Sequence, residues 1–433
     1  MIPFFYLLLF ILLTSKEAVW FKGVIGTSGF NAVVGVLLAI WFLSCLVERR
    51  GATLFLRHTL LFSQTRRGAW FMAILGSLIV YLLLHELIEE DGGMALKMAA
   101  YLLFCLSLFS QSDRVKRAGF YFAWGTTIAS FALLTQCLIL HTFDQGNLEK
   151  FTELSNTEID GRANEGYINP YRLGYLRKEA EVKYGPLEFN RAFGYTTESK
   201  YGSLIILAGV ACLLLTVADW PLFLWISLPL HAAALFINHS YAAFGTVFIA
   251  MMIVLFRNRL FRRLAILSGI FAAVLIVLVL QKKVPLNPFV GARLEAFFNT
   301  TVNTYTWIPW DRAGLFGMGI RSPAERHYAA GLLLNLVRFG LAGVLLQITL
   351  FFLFAGQCVS SIRSSNDWKL RWGFGVVLSV TLIWQLLFTS EFLSPLFALL
   401  LSLPFLVTDA QDLRRRQALV VDPFGLFRQR PNT

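Results

Sequence analysis

The sequence predicts an all-α polytopic membrane protein with about 12 transmembrane helices and two large loops on the outer side of the membrane. Composition, the spacing of apolar runs and the distribution of basic residues carry this prediction. Of the 433 residues, 57% are hydrophobic and 15% are charged, and the mean hydropathy is +0.63. A soluble domain needs a far more polar surface than this composition supplies. The chain is therefore expected to lie in a bilayer.

Apolar runs mark the expected spans in order along the chain. They cover residues 2–14, 24–47, 68–88, 97–110, 118–141, 203–217, 220–237, 241–256, 264–281, 329–356, 373–389 and 392–408. The first run has no basic segment before it and no small-residue cleavage site, so it is expected to be a retained span.

These runs divide the chain into six parts. Five spans within 1–141 lead to a first large loop at 142–201, and four spans within 202–281 lead to a second at 282–328. Three spans within 329–410 precede a tail at 411–433. Loops this long are uncommon in compact proteins without a function, so they are expected to be the working parts.

Basic residues collect in alternate short loops, which fixes an expected orientation. The clusters are Arg49, Arg50, Arg57, Arg66 and Arg67; Arg114, Lys116 and Arg117; Arg257, Arg259, Arg262 and Arg263; Arg363, Lys369 and Arg371; and the tail Arg414, Arg415 and Arg416. All fall on one side if the N-terminus is cytoplasmic, which the positive-inside rule favours. Both termini are predicted to be cytoplasmic.

Composition also excludes several classes of function. The net charge of +12 could suggest nucleic acid, but the basic residues lie in short loops where they orient the chain and meet anionic headgroups. The five cysteines lie in or beside apolar runs without CxxC spacing, so neither a disulfide framework nor a metal site is expected. The chain has no GxxxxGK[ST] loop, which argues against nucleotide hydrolysis, and no cofactor is predicted.

The second outer loop is itself basic, although the positive-inside rule concentrates basic residues in the cytoplasmic loops. It carries six cationic residues and three carboxylates: Lys282, Lys283, Arg293, Arg312, Arg321 and Arg326, with Glu295, Asp311 and Glu325. Positive charge on the translocated side indicates a bound anion. His327 follows directly, and a histidine among arginines suggests proton transfer beside a phosphate.

Several residues are candidates for this site. Three closely spaced glycines between Arg312 and Arg321 allow a backbone to approach a ligand or to fold tightly. Arg338 lies inside the following apolar helix, where a cation needs a cavity or a partner. Arg293 suits phosphate contact or ordinary headgroup contact, and Arg191, just before the sixth span, could point into the same outer vestibule as Arg293.

His239 lies in a tight outer turn, where it could line the outer vestibule or simply be polar. Gly340 and Gly343 are expected to allow close helix packing.

The pattern resembles the O-antigen ligase and polymerase family of bacterial envelope glycosyltransferases. The resemblance covers roughly residues 185–350. It depends on Arg191-Ala192-Phe193-Gly194 before a span, Gly291-Ala292-Arg293-Leu294 in the second loop, and Gly317-Met318-Gly319 followed by His327 and the Gly340-x-x-Gly343 helix. Tyr241 stands where members of the family usually carry an arginine.

The resemblance implies a metal-independent, inverting glycosyltransferase of the bacterial inner membrane, with both large loops periplasmic. It would move a glycan from undecaprenyl diphosphate to a sugar hydroxyl of lipid A–core, with His327 as base and Arg293 as the second catalytic residue. Arg191 would hold the diphosphate with Arg293, and the other expected diphosphate contacts are Arg312, Arg321, Arg338 and His239.

Three alternatives remain open at the level of sequence. A repeat-unit polymerase of the same family would use the same donor and a growing polysaccharide as acceptor. A polysaccharide or lipid transporter also suits about twelve spans, although transporters usually show paired interrupted helices. A non-catalytic scaffold would leave the basic outer loop unexplained.

Overall fold

The computed structural model of the protein describes the greater part of the chain. The described residues are 32–43, 66–89, 94–109, 112–143, 167–168, 175–184, 187–194, 199–217, 221–255, 263, 267, 274, 314–317, 331–383 and 396–407.

Helices make up most of the described chain. In chain order they are α1 (Ala32–Leu43), α2 (Arg66–Glu89), α3 (Met94–Phe109), α4 (Ser112–Phe143), α5 (Ser199–Thr216), α6 (Pro221–Asn238), α7 (Tyr241–Leu255), α8 (Gly331–Ser364), α9 (Trp368–Ile383) and α10 (Leu396–Val407). Their cores are runs of Leu, Ile, Val, Phe and Ala, whose backbone polar groups a helix satisfies internally.

Four of the described helices are long and apolar enough to cross a membrane. The four segments are Arg67–Ile88, Lys116–Thr135, Pro221–Asn238 and Asn335–Ser364, and α1, α3, α5, α7 and α10 are shorter apolar helices. The coarse prediction of a helical membrane protein is thereby confirmed. The predicted spans at 2–14 and, apart from Leu267 and Val274, at 264–281 lie outside the described residues.

A small sheet interrupts the helices inside the first large loop. Strands β1 (Tyr167–Ile168), β2 (Tyr175–Tyr184) and β3 (Leu187–Gly194) form an antiparallel sheet in the order β1-β2-β3. The pairing of β2 with β3 moves from Leu176↔Ala192 to Glu181↔Asn190, which leaves a bulge in β2. This sheet was not predicted from the sequence, and because of it the described chain is not purely helical.

The helices pack into one large apolar core. Helix α5 contacts α4, α6, α7 and α9, while α2 contacts α3 and α8. Strand β3 contacts α4, α5 and α6, so the sheet lies against the helices that flank the first loop. Cys105, Cys137, Cys212 and Cys358 are free and buried, in agreement with their positions in or beside apolar runs, and Cys45 lies outside the described residues.

Helices α2 and α8 run antiparallel, and this pair positions the candidate site. Near the start of α2, the Arg67 Nη1 atom donates a hydrogen bond of 3.1 Å to the Gly356 carbonyl. Fourteen residues later, the Tyr81 hydroxyl donates to the Phe339 carbonyl at 2.6 Å. The two basic clusters that contain Arg67 and Arg363 therefore lie at one end of the pair, which agrees with their assignment to one side of the membrane.

Candidate functional site

Helix α8 is sharply broken at Gly340. This residue has φ 63° and ψ −174°, which are not helical values. Asn335 Nδ2 donates a hydrogen bond of 3.1 Å to Gln347 Oε1, although twelve residues of straight helix would separate their backbones by about 18 Å. Residues 331–339 therefore fold back beside the next two turns. We call residues 331–339 the arm and residues 341–364 the crossing half.

The break changes how α8 relates to the expected span at 329–356. From Leu341 to Ser364 the crossing half is roughly 36 Å long at 1.5 Å per residue. A hydrocarbon layer is about 30 Å thick. The crossing half is thus long enough without the arm, which adds no length across the membrane.

The glycine-rich segment of the second loop docks at this break. Residues 314–317 form a turn, and its carbonyls accept hydrogen bonds from the start of the crossing half. Leu341 N donates to Gly314 O at 3.3 Å, and Ala342 N donates to Leu315 O at 3.0 Å. The turn satisfies two N–H groups that the break would otherwise leave without carbonyl acceptors.

Only glycine fits at the contact between the turn and the break. A Cβ at Gly340 would fall within forbidden distance of the backbone of Gly317 and Leu315. A Cβ at Gly317 would likewise meet the backbone of Arg338 and Gly340. Both residues also have positive φ, 63° at Gly340 and 84° at Gly317, which side chains disfavour. The tight fold that the glycine spacing allows is present as the turn 314–317, which contacts the backbone of α8, whereas contact with a ligand stays a prediction.

The Tyr81 side chain of α2 contacts both the glycine turn and the arm. Its hydroxyl lies 2.6 Å from the Phe339 carbonyl and 3.2 Å from the Phe316 carbonyl, so it can donate to either. Phe339 is the last residue of the arm, where the break frees a carbonyl from its helical partner. A Cβ at Gly343 would approach the Tyr81 ring. The predicted packing role of Gly343 is thus realised against α2.

Polar side chains are buried around the break. Arg338 is 6% exposed, with its Cζ atom 5.9 Å from the centre of the Phe339 ring. His85 of α2 is 4% exposed and meets the same ring edge-on at 5.3 Å. Neither ring nitrogen of His85 has a hydrogen-bond partner among the described residues. Buried polar groups of this kind occur where a protein meets a polar ligand or segment.

His85 was not selected from the sequence, where it lies at the end of a span and has no distinctive motif. Only its packing against Phe339 places it at the break.

Arg191 and His239 lie in a different group of elements. Arg191 is on β3, between Asn190 and Ala192, whose partners on β2 flank the bulge. Strand β3 contacts α6, and His239 follows the last residue of α6 with φ 45°. His239 is buried, and its ring meets Phe244 edge-on at 5.6 Å. The structure therefore brings the strand of Arg191 to the helix that ends just before His239.

The polar end of α6 is tied to α5 beside this group. Ser203 Oγ donates a hydrogen bond of 2.6 Å to Asn238 Oδ1, and both side chains are fully buried. Such a bond fixes the start of α5 against the end of α6. The turn carrying His239 is thereby held close to where the first large loop returns to the helices.

The remaining predicted site residues, His327, Arg293, Arg312 and Arg321, lie outside the described residues. Two of these residues, Arg321 and His327, are close in sequence to described residues. Arg321 is four residues after Gly317, and His327 is four residues before Gly331. Among the described residues, no group of three or more His, Cys, Asp or Glu side chains could hold a metal ion.

His231 lies on α6, the helix that ends just before His239. Unlike His85, it has hydrogen-bond partners for its ring nitrogens among the described residues. Its Nδ1 atom lies 2.9 Å from Ser130 Oγ and its Nε2 atom lies 3.3 Å from Thr127 Oγ1, both on α4. Both ring nitrogens thus have hydroxyl partners, as expected of a histidine that links two helices. The sequence analysis did not assign it a role.

Comparisons with known proteins leave the family open. No protein-family model matches the chain, and no curated protein matches it. One matching chain comes from a solved structure of a peptidoglycan synthase complex. It has a TM-score of 0.38 and 16% sequence identity, and the match covers 80% of this chain and 97% of the other.

Proposed function

We propose that the protein is a glycosyltransferase that moves a glycan from undecaprenyl diphosphate to an acceptor sugar hydroxyl at the periplasmic face of the inner membrane. The preferred acceptor is lipid A–core, as in an O-antigen ligase. The observation that carries the proposal is the docking of the glycine turn 314–317 on the break of α8, with Arg338 buried beside it.

This docking supports a site that draws on both α8 and the second loop. The turn begins close to Arg312, and both Arg321 and His327 are four residues from a described residue of the turn or the arm. Four residues span at most about 14 Å. The covalent chain therefore keeps Arg321 within about 14 Å of the docked turn and His327 within about 14 Å of the first residue of the arm. In the proposal, Arg338 supplies a further cation at the break.

The chemistry of the donor explains the need for these residue types. The leaving group is a lipid diphosphate, whose developing negative charge is stabilised by fixed cations. An arginine can bind phosphate oxygens through two parallel hydrogen bonds. The acceptor hydroxyl must lose its proton as it attacks the anomeric carbon, and a histidine has a suitable pKa for that task. An in-line attack would invert the anomeric configuration, and neither metal nor nucleotide takes part.

Arg191, Arg293 and His239 complete the proposal. The contact of β3 with α6 supports a shared place for Arg191 and His239. In the proposal, Arg293 joins them around the diphosphate, and Arg338 and Arg321 act from the side of the break. A repeat-unit polymerase would use the same residues and donor, with a growing polysaccharide as acceptor.

A transporter is the second candidate because of the broken helix itself. Interrupted membrane helices with nearby charged groups are typical of transporter binding sites. Transporters usually carry a corresponding interruption in each half. Among the described helices, α8 is broken at Gly340 and α6 contains Pro229. We prefer the glycosyltransferase because a buried arginine lies beside the docked glycine turn.

The test is the envelope polysaccharide profile of a deletion strain, complemented with wild type, His327→Ala or Arg338→Ala. His58→Ala and Arg117→Ala are matched controls, because both residues belong to the predicted cytoplasmic side and Arg117 is exposed. We expect His327→Ala to lower glycan transfer roughly 100-fold or more, as loss of a general base does. Membrane abundance of each variant is measured in parallel.

The form of the defect separates the candidates. Rough lipid A–core with long polymer on undecaprenyl diphosphate supports the ligase, and core capped with a single repeat supports the polymerase. Lipid-linked repeats that accumulate on the cytoplasmic leaflet support the transporter. A normal profile from His327→Ala present at wild-type abundance would contradict the glycosyltransferase proposal.

A further inference from the structure

A groove of about 590 Å³ opens between the start of α2 and the last turns of α8. It lies at the opposite end of this helix pair from the break. Gly356 in the groove is sixteen residues beyond Gly340, which corresponds to about 24 Å of helix. The groove is thus separate from the candidate active site.

Two arginines give the groove a positive mouth. Arg67 and Arg363 both line it and are both exposed. The Arg67 side chain is held across the groove by its 3.1 Å hydrogen bond to the Gly356 carbonyl. The described lining also contains Ser360, whereas it contains no carboxylate. Two guanidinium groups with a nearby hydroxyl suit a phosphate group.

The rest of the groove is apolar. Phe352 and Val359 line its wall, and Phe352 is 68% exposed. Leu341, Leu345 and Phe352 form an exposed apolar stripe along the crossing half, which leads into the groove. On a helix that crosses a membrane, such a stripe faces lipid chains. The groove therefore continues a lipid-facing surface toward its basic mouth.

Gly356 lines the groove without a side chain. A Cβ built on this residue would meet nothing within 4 Å. The open space is thus not needed for helix packing. A branched side chain at Gly356 would project into the groove and occupy part of it while both arginines remained in place.

We propose that this groove is a binding site for one anionic phospholipid of the cytoplasmic leaflet. Its phosphate lies between Arg67 and Arg363, and an acyl chain follows Gly356 and Phe352. The leaflet follows from the basic loops, which orient this end of α2 and α8 toward the cytoplasm. The proposal does not depend on the glycosyltransferase activity.

Native mass spectrometry of the full-length, delipidated protein tests the site, with phosphatidylglycerol or phosphatidylcholine as the added lipid. We expect one phosphatidylglycerol to bind more tightly than phosphatidylcholine. Each arginine contributes roughly a fivefold change in affinity for an anionic lipid. The double variant Arg67→Gln/Arg363→Gln should therefore lose about 25-fold, whereas Arg117→Gln, an exposed arginine on α4, should not.

Gly356→Leu separates a formed site from general attraction to basic loops. It keeps both charges, and we expect it to weaken phosphatidylglycerol binding at least about fivefold without lowering the thermal stability of the protein. Equal retention of phosphatidylglycerol by wild type and Gly356→Leu would overturn the proposal. Preferential retention of a polyprenyl monophosphate over phosphatidylglycerol at equal concentration would also overturn it.

Discussion

Gly317 and Gly340 fit together because neither residue carries a side chain. Their backbones meet at a distance that a Cβ on either would forbid, and both occupy positive φ. From the spacing of its glycines, the segment between Arg312 and Arg321 was expected to approach a ligand or to fold tightly. It also predicted that Arg338 needs a cavity or a partner, and the structure buries this residue beside Phe339.

The partner of the glycine segment could not be predicted, because the segment and Gly340 are far apart in sequence. The roles of Arg338 and His239 remain predictions, as do those of His327, Arg293, Arg312 and Arg321, which lie outside the described residues.

Substitution of Gly340 tests the fit at the scale of one residue. We expect Gly340→Ala to destabilise the protein by about 2–4 kcal/mol, since the new methyl group adds steric overlap to an unfavourable φ. Gly356→Ala is the matched control on the same helix, where a Cβ meets nothing, and we expect a change within about 1 kcal/mol. Thermal unfolding of the detergent-purified proteins measures both. Equal stability of the two variants would contradict the described contact.

At the scale of elements, the arm of α8 and the sheet were the two features that sequence reasoning missed. The run 329–356 is predominantly apolar and has no proline, so hydropathy predicts one continuous helix despite Arg338 and a few polar residues. The break depends on carbonyls of residues 314–317 and on the Tyr81 hydroxyl, which are tertiary contacts. Apart from Gly340 itself, nothing in the local sequence indicates these tertiary contacts.

The sheet had a local signal that could have been used. Gly185-Pro186 separates two runs, at Tyr175–Tyr184 and Leu187–Gly194, that became β2 and β3. A short Gly-Pro interval between such runs is a typical hairpin signal. The many charged residues of the first run obscured the alternation of apolar and polar residues that predicts a strand. Arg191 was therefore placed correctly near the following span but not on a strand.

A double-mutant cycle tests the folded-back arm. Asn335→Ala, Gln347→Ala and the double variant should show a coupling energy of about 0.5–1.5 kcal/mol in thermal unfolding, because their side chains share a hydrogen bond. A second cycle with Asn335→Ala and Thr349→Ala is the control, since Thr349 is exposed and bonds only to Leu345 of its own helix. Coupling near zero in the first cycle would indicate a straight helix.

At the scale of the whole molecule, the predicted number of about 12 spans stays a prediction. The apolar runs nevertheless coincide with helices wherever the chain is described. This success has a physical cause, because a segment in lipid must satisfy its backbone internally and be apolar, and both properties are local. Helix ends differ from the predicted ends by up to eight residues, since α8 ends at Ser364 whereas its span was predicted to end at residue 356. The orientation across the membrane remains a prediction from basic residues, to which the neighbouring Arg67 and Arg363 lend support.

Cysteine accessibility tests this orientation. In a variant whose native cysteines are replaced by alanine, we expect Asn366→Cys, in the exposed turn between α8 and α9, to react with an impermeant thiol reagent only after the inner membrane is opened. Lys183→Cys, on β2 in the first large loop, should react from the periplasm. The reverse pattern would invert the assigned topology and remove the proposed site from the periplasmic face.

The break of α8 also sets an order for the biogenesis of the protein. In isolation, a straight α8 would satisfy its own N–H and C=O groups in lipid, whereas a bent one would expose Leu341 N, Ala342 N and the Phe339 carbonyl to hydrocarbon. In the assembled protein these groups are satisfied by Gly314, Leu315 and Tyr81. Bending of α8 is therefore favourable only after α2 and the second loop have arrived, so this part of the protein matures after membrane insertion.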